Sequence, residues 1–230
     1  MLPQQPTDVD WSGLPIIFDE VFTGLYRLGH FTPSTMLQIQ PDISVHAKLL
    51  TGGLLPLCAT VASNPIYSAF LSDEKSAALL HGHSYTGHAV GCQVAVTSLN
   101  AMISMQENGA WNSHKSSWSS EASTSTDRRI WSFWPKEAVS KISQAEDVDS
   151  VFALGTVLAI KFRDKERSGY TSMAAEKYKR LLLERNCEGG ARTIVHSRVL
   201  GNVLYIMSSL VSEPGDLKKI SDILLGALQN

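Results

Sequence analysis

Asp19 and Lys48 are the residues of this 230-residue chain whose setting most invites chemistry. Asp19 closes Leu14 to Phe18 (LPIIF), a short apolar run with the look of a fully buried strand, and is followed at once by Glu20. Lys48 comes directly after the extended stretch Asp42 to His46 (DISVH) and before a Thr51-Gly52-Gly53 turn. Carboxyl ends of strands are where α/β sheets bind ligands. A separation of 29 residues leaves room for a loop or helix while allowing the two ends to be neighbours. A lysine amine condenses with a carbonyl, and a carboxylate keeps a ring nitrogen protonated so that the ring can draw electrons from a substrate carbanion. That pair is what a pyridoxal phosphate enzyme needs. By residue type alone, Asp19-Glu20 is more often a solvated strand end and Lys48 more often a surface lysine.

The elements that must position these groups follow from the apolar pattern. A third run, Leu55 to Ala62 (LPLCATVA), completes three buried strands in one α/β layer. Asn64-Pro65 opens a helix through about Leu71, and Gly87 to Met105 reads as a long, largely buried helix. Asn108 to Thr126 is rich in Ser, Thr and Asn without a sustained apolar period, which predicts a mobile surface loop despite Trp111 and Trp118. Beyond it the pattern predicts a helix near Pro135 to Ala145 and a hairpin through Val148 to Phe162 with Gly155 as its irregular point. A helix from Tyr170 to Arg185, an extended segment Asn202 to Ser208 and an amphipathic helix Glu213 to Leu228 complete an α+β domain. No internal repeat is visible. The organisation expected is 1–107 as one large-domain portion, 108–134 as Ser-rich loop and connection, and 135–230 as a small C-terminal domain.

Twenty Lys and Arg against 22 Asp and Glu give a net charge of −2, which predicts neither a nucleic-acid-binding basic face nor an acidic tail. The chain is 43% hydrophobic and has no run near the roughly 18 apolar residues of a membrane helix. A soluble globular protein is expected. Cys58, Cys92 and Cys187 are odd in number and widely spaced, which argues against a disulfide framework or a CxxC metal site and for a reducing, intracellular compartment. The opening MLPQQPTDVDW has neither a basic nor an apolar signal region, and its abruptness suggests that the natural N-terminus lies upstream. His81, His83, His88 and Cys92 could be imagined as metal ligands, the last two at helical i,i+4 spacing, but a structural role suits them better.

Ile16-Ile17-Phe18-Asp19-Glu20-Val21-Phe22-Thr23-Gly24, with Arg27 and Gly29, resembles the signature of class III pyridoxal-phosphate aminotransferases. Lys48-Leu49-Leu50-Thr51-Gly52-Gly53 resembles that family's cofactor-lysine segment. His81-Gly82-His83-Ser84-Tyr85-Thr86-Gly87-His88 is similar to the segment that closes over the cofactor phosphate, in wording most like the diaminopelargonic acid aminotransferases of biotin synthesis, above all those fused to dethiobiotin synthetase. Arg198 to Met207 (RVLGNVLYIM) matches the stretch bearing an arginine for the substrate carboxylate. The resemblance implies the α/β fold type I of these transferases, present as a partial large domain with the smaller C-terminal domain. It implies that Lys48 holds pyridoxal 5'-phosphate and then shuttles the proton, and that Asp19 pairs with the ring nitrogen. Ser84, with the backbone of His83 and Ser84, would bind the phosphate from the neighbouring subunit of a homodimer. Gly82 would lie against the substrate, and Arg198 would clamp the keto-acid carboxylate. Arg27 and Gly29 would be structural, closing the turn after Asp19.

The family's segment before the Asp19 strand, with its phosphate-binding turn and ring-stacking aromatic, has no counterpart here, so part of the sheet is expected to lack neighbour strands and to expose apolar edges. The implied reaction moves an amino group from S-adenosylmethionine to 8-amino-7-oxononanoate. The alternatives are another ω-amino acid aminotransferase or a non-catalytic remnant that only packs against a partner. A fused dethiobiotin synthetase domain upstream and a mitochondrial or cytoplasmic location complete the expectations, with no metal, nucleic acid or membrane partner.

Overall fold

The structure of the chain, a computed structural model, describes residues 13–119, 130–167, 169–184 and 195–229. The opening undecapeptide, the later part of the Ser-rich run, Arg185 and Cys187 lie outside the described residues. Two compact units divide the chain, Met1–Glu107 and Asn108–Asn230.

In the first unit, β1 (Ile17–Asp19) pairs in parallel with β2 (Ile43–His46), which pairs antiparallel with β3 (Ala59–Ala62). Asp42 sets the β1–β2 register. Its Oδ2 accepts the Ile16 amide at 2.8 Å while its own amide donates to the Ile16 carbonyl at 2.9 Å. Register then pairs Asp19 with Val45, so both strands end on the same side. The connection between them turns back at Leu25 and Tyr26, both at positive φ, and enters α1 (Pro33–Leu37), whose first turn is capped by Thr32. After β3 come α2 (Asn64–Ala69), with its proline in the first turn, and α3 (Ala89–Glu107).

Three expectations are corrected here. The strands are not fully buried: Ile17 is 61% and Val61 57% exposed, because β1 and β3 are the edges of a three-stranded sheet. The third strand is also shorter than Leu55 to Ala62. Helix α3 is largely exposed, with only Gly91, Ala95 and Met102 buried. An apolar pattern records which surfaces favour burial; it does not say that this chain covers them. The expectation of exposed apolar edges matches Ile17 on β1 and Val61 on β3.

In the second unit, α5 (Lys136–Ser143), α6 (Ala174–Glu184) and α7 (Pro214–Leu228) pack on an antiparallel sheet of order β4-β5-β7-β6. Its strands are β4 (Val148–Leu154), β5 (Val157–Phe162), β6 (Arg198–Leu200) and β7 (Val203–Met207). Leu158, Ile160 and Phe162 alternate with Ala159 and Lys161 along β5, and Leu158 and Ile160 stand opposite Ile206 and Leu204 on β7. All five apolar residues are buried, so period-two patterning makes the sheet half of the core. Leu217, Ser221, Leu224 and Ala227 supply the buried stripe of α7 at helical spacing. The β4–β5 hairpin closes as expected through Gly155-Thr156, with Gly155 at φ +52°. Tyr170 belongs to a separate 3-10 turn before α6.

The largest misreading is Asn108 to Thr126. Its described part holds a helix, α4 (Asn112–Trp118), with Trp111 almost fully buried. Aromatic contacts and N–H donors replace the missing apolar period. Trp111 stacks on Trp131 at 6.2 Å and donates Nε1–H to the Leu210 carbonyl at 2.9 Å. Trp118 donates likewise to the Trp134 carbonyl at 2.9 Å. His114 sets one ring nitrogen 3.2 Å from the Phe133 carbonyl and the other 3.1 Å from that of Ser212. Trp134, with no exposed surface, donates Nε1–H to Thr156 in the hairpin turn at 2.9 Å. Trp134→Ala is expected to cost about 3–5 kcal/mol in denaturant unfolding of the full chain; an unchanged midpoint would contradict this packing.

Candidate active site

Lys48 stands where extended backbone at Ala47 breaks into a 3-10 turn, Lys48–Leu50, and it takes φ +51° itself. A non-glycine residue held there costs about 1–3 kcal/mol, a strain that surrounding contacts must overcome. Those contacts are visible on both sides of the turn. Thr51, buried, donates its hydroxyl to the Leu55 carbonyl at 2.6 Å, and Ser98 on α3 donates Oγ–H to the Leu49 carbonyl at 2.8 Å. The Lys48 ammonium lies 5.6 Å from the centre of the Phe22 ring and has no carboxylate within 4.0 Å among the described residues. The amine is therefore exposed and not committed to an ion pair.

Asp19 is also exposed, at the end of the neighbouring parallel strand, and its Oδ1 accepts the Val21 amide at 3.0 Å. The next residue behaves in the opposite way. Glu20 is buried, with Oε1 accepting the Ser34 amide at 3.3 Å and Oε2 lying 3.6 Å from Nδ1 of His46, itself buried. Burial raises the Glu20 carboxyl above its ordinary pKa, against the lowering influence of the Ser34 amide and His46. Arg27 donates Nε–H to the Phe22 carbonyl at 3.2 Å and sits 5.4 Å from the same ring centre that faces Lys48. Burial lowers its pKa from the ordinary arginine value. Gly29, at φ +84°, lets the chain turn beneath Tyr26.

Lys48 opens into a cleft of about 1090 Å³ shared with Thr51, Cys58, His83, Tyr85 and His88. Lys48 and His83, far apart in sequence, thus meet on one surface of the first unit. Asp19, Gly82 and Ser84 do not line this cleft; Gly82 and Ser84 flank His83, and Ser84 is exposed. The His83 amide donates to the Thr86 hydroxyl at 2.8 Å, and His83 Nδ1 accepts the Tyr85 amide at 3.1 Å. A Cβ on Gly82 would meet the Thr86 hydroxyl at 3.3 Å. His88 Nδ1 accepts the Gly91 amide at 3.1 Å, so both imidazoles serve their own loop. No group of three or more His, Cys, Asp or Glu among the described residues could hold a metal ion. Arg198 opens β6 in the second unit, exposed and opposite Tyr205.

The sequence reading passed over Phe22, the Glu20–His46 pair and Thr86. Phe22 sits inside the signature itself, and His46 two residues before Lys48. Neither had a partner that could be identified without the β1–β2 register. An amine on the turn after β2 and an exposed carboxylate at the end of β1 are the residue types that the aldehyde and the ring nitrogen of pyridoxal phosphate require.

This fold, with a lysine turn beside an acidic strand end, is that of the fold type I aminotransferases. The aminotransferase class-III family matches residues 11–228, and the chain belongs to it; pyridoxal phosphate is the cofactor of this class. Among curated relatives, the bifunctional dethiobiotin synthetase/adenosylmethionine-8-amino-7-oxononanoate aminotransferase of Emericella nidulans is 55% identical over 98% of the chain and 28% of its own length. The bifunctional dethiobiotin synthetase/7,8-diamino-pelargonic acid aminotransferase, mitochondrial, of Oryza sativa is 40% identical over 84% of the chain and 21% of its own length. The chain therefore spans less than a third of either. Among solved structures, adenosylmethionine-8-amino-7-oxononanoate aminotransferase from Methanocaldococcus jannaschii superposes with a TM-score of 0.72 at 28% identity, over 95% of this chain and 46% of that one.

Incubation of the full-length protein with pyridoxal phosphate, borohydride reduction and peptide mapping should place the adduct on Lys48. An adduct on Lys75 or Lys136 instead would reject the assignment.

Proposed function

We propose that this chain carries the reactive lysine of an adenosylmethionine-8-amino-7-oxononanoate aminotransferase, which moves an amino group from S-adenosylmethionine to 8-amino-7-oxononanoate. The observation that carries the proposal is the exposed, ion-pair-free Lys48 on its strained turn, beside Asp19 on the adjoining parallel strand. It is supported by 55% identity to a relative of that name along nearly the whole chain.

Bound pyridoxal phosphate supplies an electron-withdrawing ring that stabilises negative charge at the substrate carbon. Lys48 would hold it through Nζ and would carry a proton at that atom to and from the substrate carbon. Asp19 would hold a proton on the ring nitrogen through its carboxylate, a pairing strengthened wherever water is excluded. The Ser84 hydroxyl and the amides of His83 and Ser84 would hold the phosphate in a neighbouring subunit, for which the His83 amide would give up its present Thr86 acceptor. Gly82 leaves room for substrate, and Arg198 receives the keto-acid carboxylate through its planar fork. The whole protein is a homodimer with a shared site. A mitochondrial location, carried in the names of two plant relatives, is part of the same proposal.

The full-length protein should turn over 8-amino-7-oxononanoate with S-adenosylmethionine as donor, and Arg198→Ala should raise KM for the keto acid at least about tenfold while the half-reaction with the donor persists. Turnover with ornithine or γ-aminobutyrate and indifference to S-adenosylmethionine would assign another class III activity. Failure to bind the cofactor would leave only a packing role. For the shared site, a heterodimer of Lys48→Ala and Ser84→Ala subunits should regain activity that neither parent homodimer has, because one of its two sites has both residues intact. No recovery in a verified heterodimer would refute sharing.

A further inference from the structure

We propose that Glu20 and His46 form a buried positioning pair that locks the ends of β1 and β2 together and so sets the placement of Asp19 relative to Lys48. The inference rests on the functional reading above, because the two residues it positions are the ones assigned to the cofactor.

Side chains alternate across a strand, so Glu20 lies on the face opposite Asp19, one step further along β1. The ladder continues through that step, since the Glu20 amide donates to the Val45 carbonyl at 3.0 Å. His46 is the following residue on β2 and precedes Lys48 by only two positions. The pair thus joins the residue after the acidic group to a residue just before the lysine turn. Both side chains are buried, His46 with 11% and Glu20 with 2% of its surface exposed. Glu20 Oε1 accepts the Ser34 amide of α1, and His46 Nε2 lies 3.1 Å from the Ser44 hydroxyl. The remaining atoms, Glu20 Oε2 and His46 Nδ1, are buried without a hydrogen-bond partner among the described residues and face each other at 3.6 Å. Each is the only ion-pair partner of the other among the described residues.

Gly24 shows how little slack the arrangement has. Its amide donates to the Glu20 carbonyl at 2.9 Å, and a Cβ there would come within 2.9 Å of that oxygen and 3.0 Å of His46 Nδ1. The signature's glycine is therefore packed against this pair, with no positive φ to demand it. A displacement at Glu20 is carried through the backbone to Asp19, the preceding residue, and one at His46 to Lys48, two residues on. Angstrom-scale misplacement of reacting groups by a distant change costs up to about 100-fold in rate.

The test uses the full-length protein with pyridoxal phosphate and compares wild type with His46→Ala and His46→Gln. His46→Ala should weaken cofactor affinity about tenfold or more, move the pH midpoint of the bound cofactor's visible absorption band, and lower kcat about 10–100-fold with little change in KM. His46→Gln, whose amide N–H can still reach Glu20, should recover most of each. If His46→Ala does not fold, the double variant Glu20→Met/His46→Leu, which fills the same space without a buried charge, should show the same shifted midpoint and weakened affinity. A lowered melting temperature with wild-type midpoint, affinity and kcat, in whichever variant folds, would make the pair a purely structural contact and overturn the proposal. Absence of cofactor binding by wild type would instead overturn the functional reading, and the positioning role with it.

Discussion

The parallel pairing of β1 with β2 is the constraint on which the candidate site depends. Each strand is only three or four residues long, so its direction and register rest on few bonds. Asp42 contributes disproportionately, gripping the Ile16 amide and carbonyl from both its side chain and its backbone. A slip of one residue would turn Asp19 inward and Glu20 outward, exchanging a solvated carboxylate for a buried one. The contrast between those adjacent carboxylates is thus a product of register. One faces solvent and stays available, while the other is sealed against His46 and Ser34.

Much of this was legible in the sequence. β2, the turn after Lys48 and the hairpin at Gly155 appear where the sequence predicts them, whereas β1 begins at Ile17, three residues after the expected start at Leu14, and takes in Asp19. Burial was less legible. Leu14, Ile17 and Val61 are apolar in pattern yet exposed, since a pattern is a property of one chain and burial a property of whatever lies against it. The α4 segment failed for a different reason. Ser and Asn dominate its composition, but two tryptophans and a histidine fix it by single hydrogen bonds to carbonyls distant in sequence. No periodicity measure weighs such bonds. The Glu20–His46 pair was hidden likewise, because a contact across two strands needs their register before it can be named.

The second unit shows the other route to a stable element. Its sheet presents one fully apolar face, its helices present stripes at matching spacing, and the aromatic cluster of Trp111, Trp131 and Phe133 closes one side. Arg198 stands on the short strand β6 of that sheet, opposite Tyr205. Arg198 thus stands on an edge strand paired with β7 rather than on a loop.

The exposed leucines and valines of the first unit bear on what its strand edges can pair with. Open strand edges and uncovered apolar side chains are features that chaperones and proteases recognise, and they favour mispairing with other chains while they remain open. A charged side chain in place of Ile17 or Val61 would make each edge a poorer template for another strand, at positions remote from the Lys48 turn in sequence.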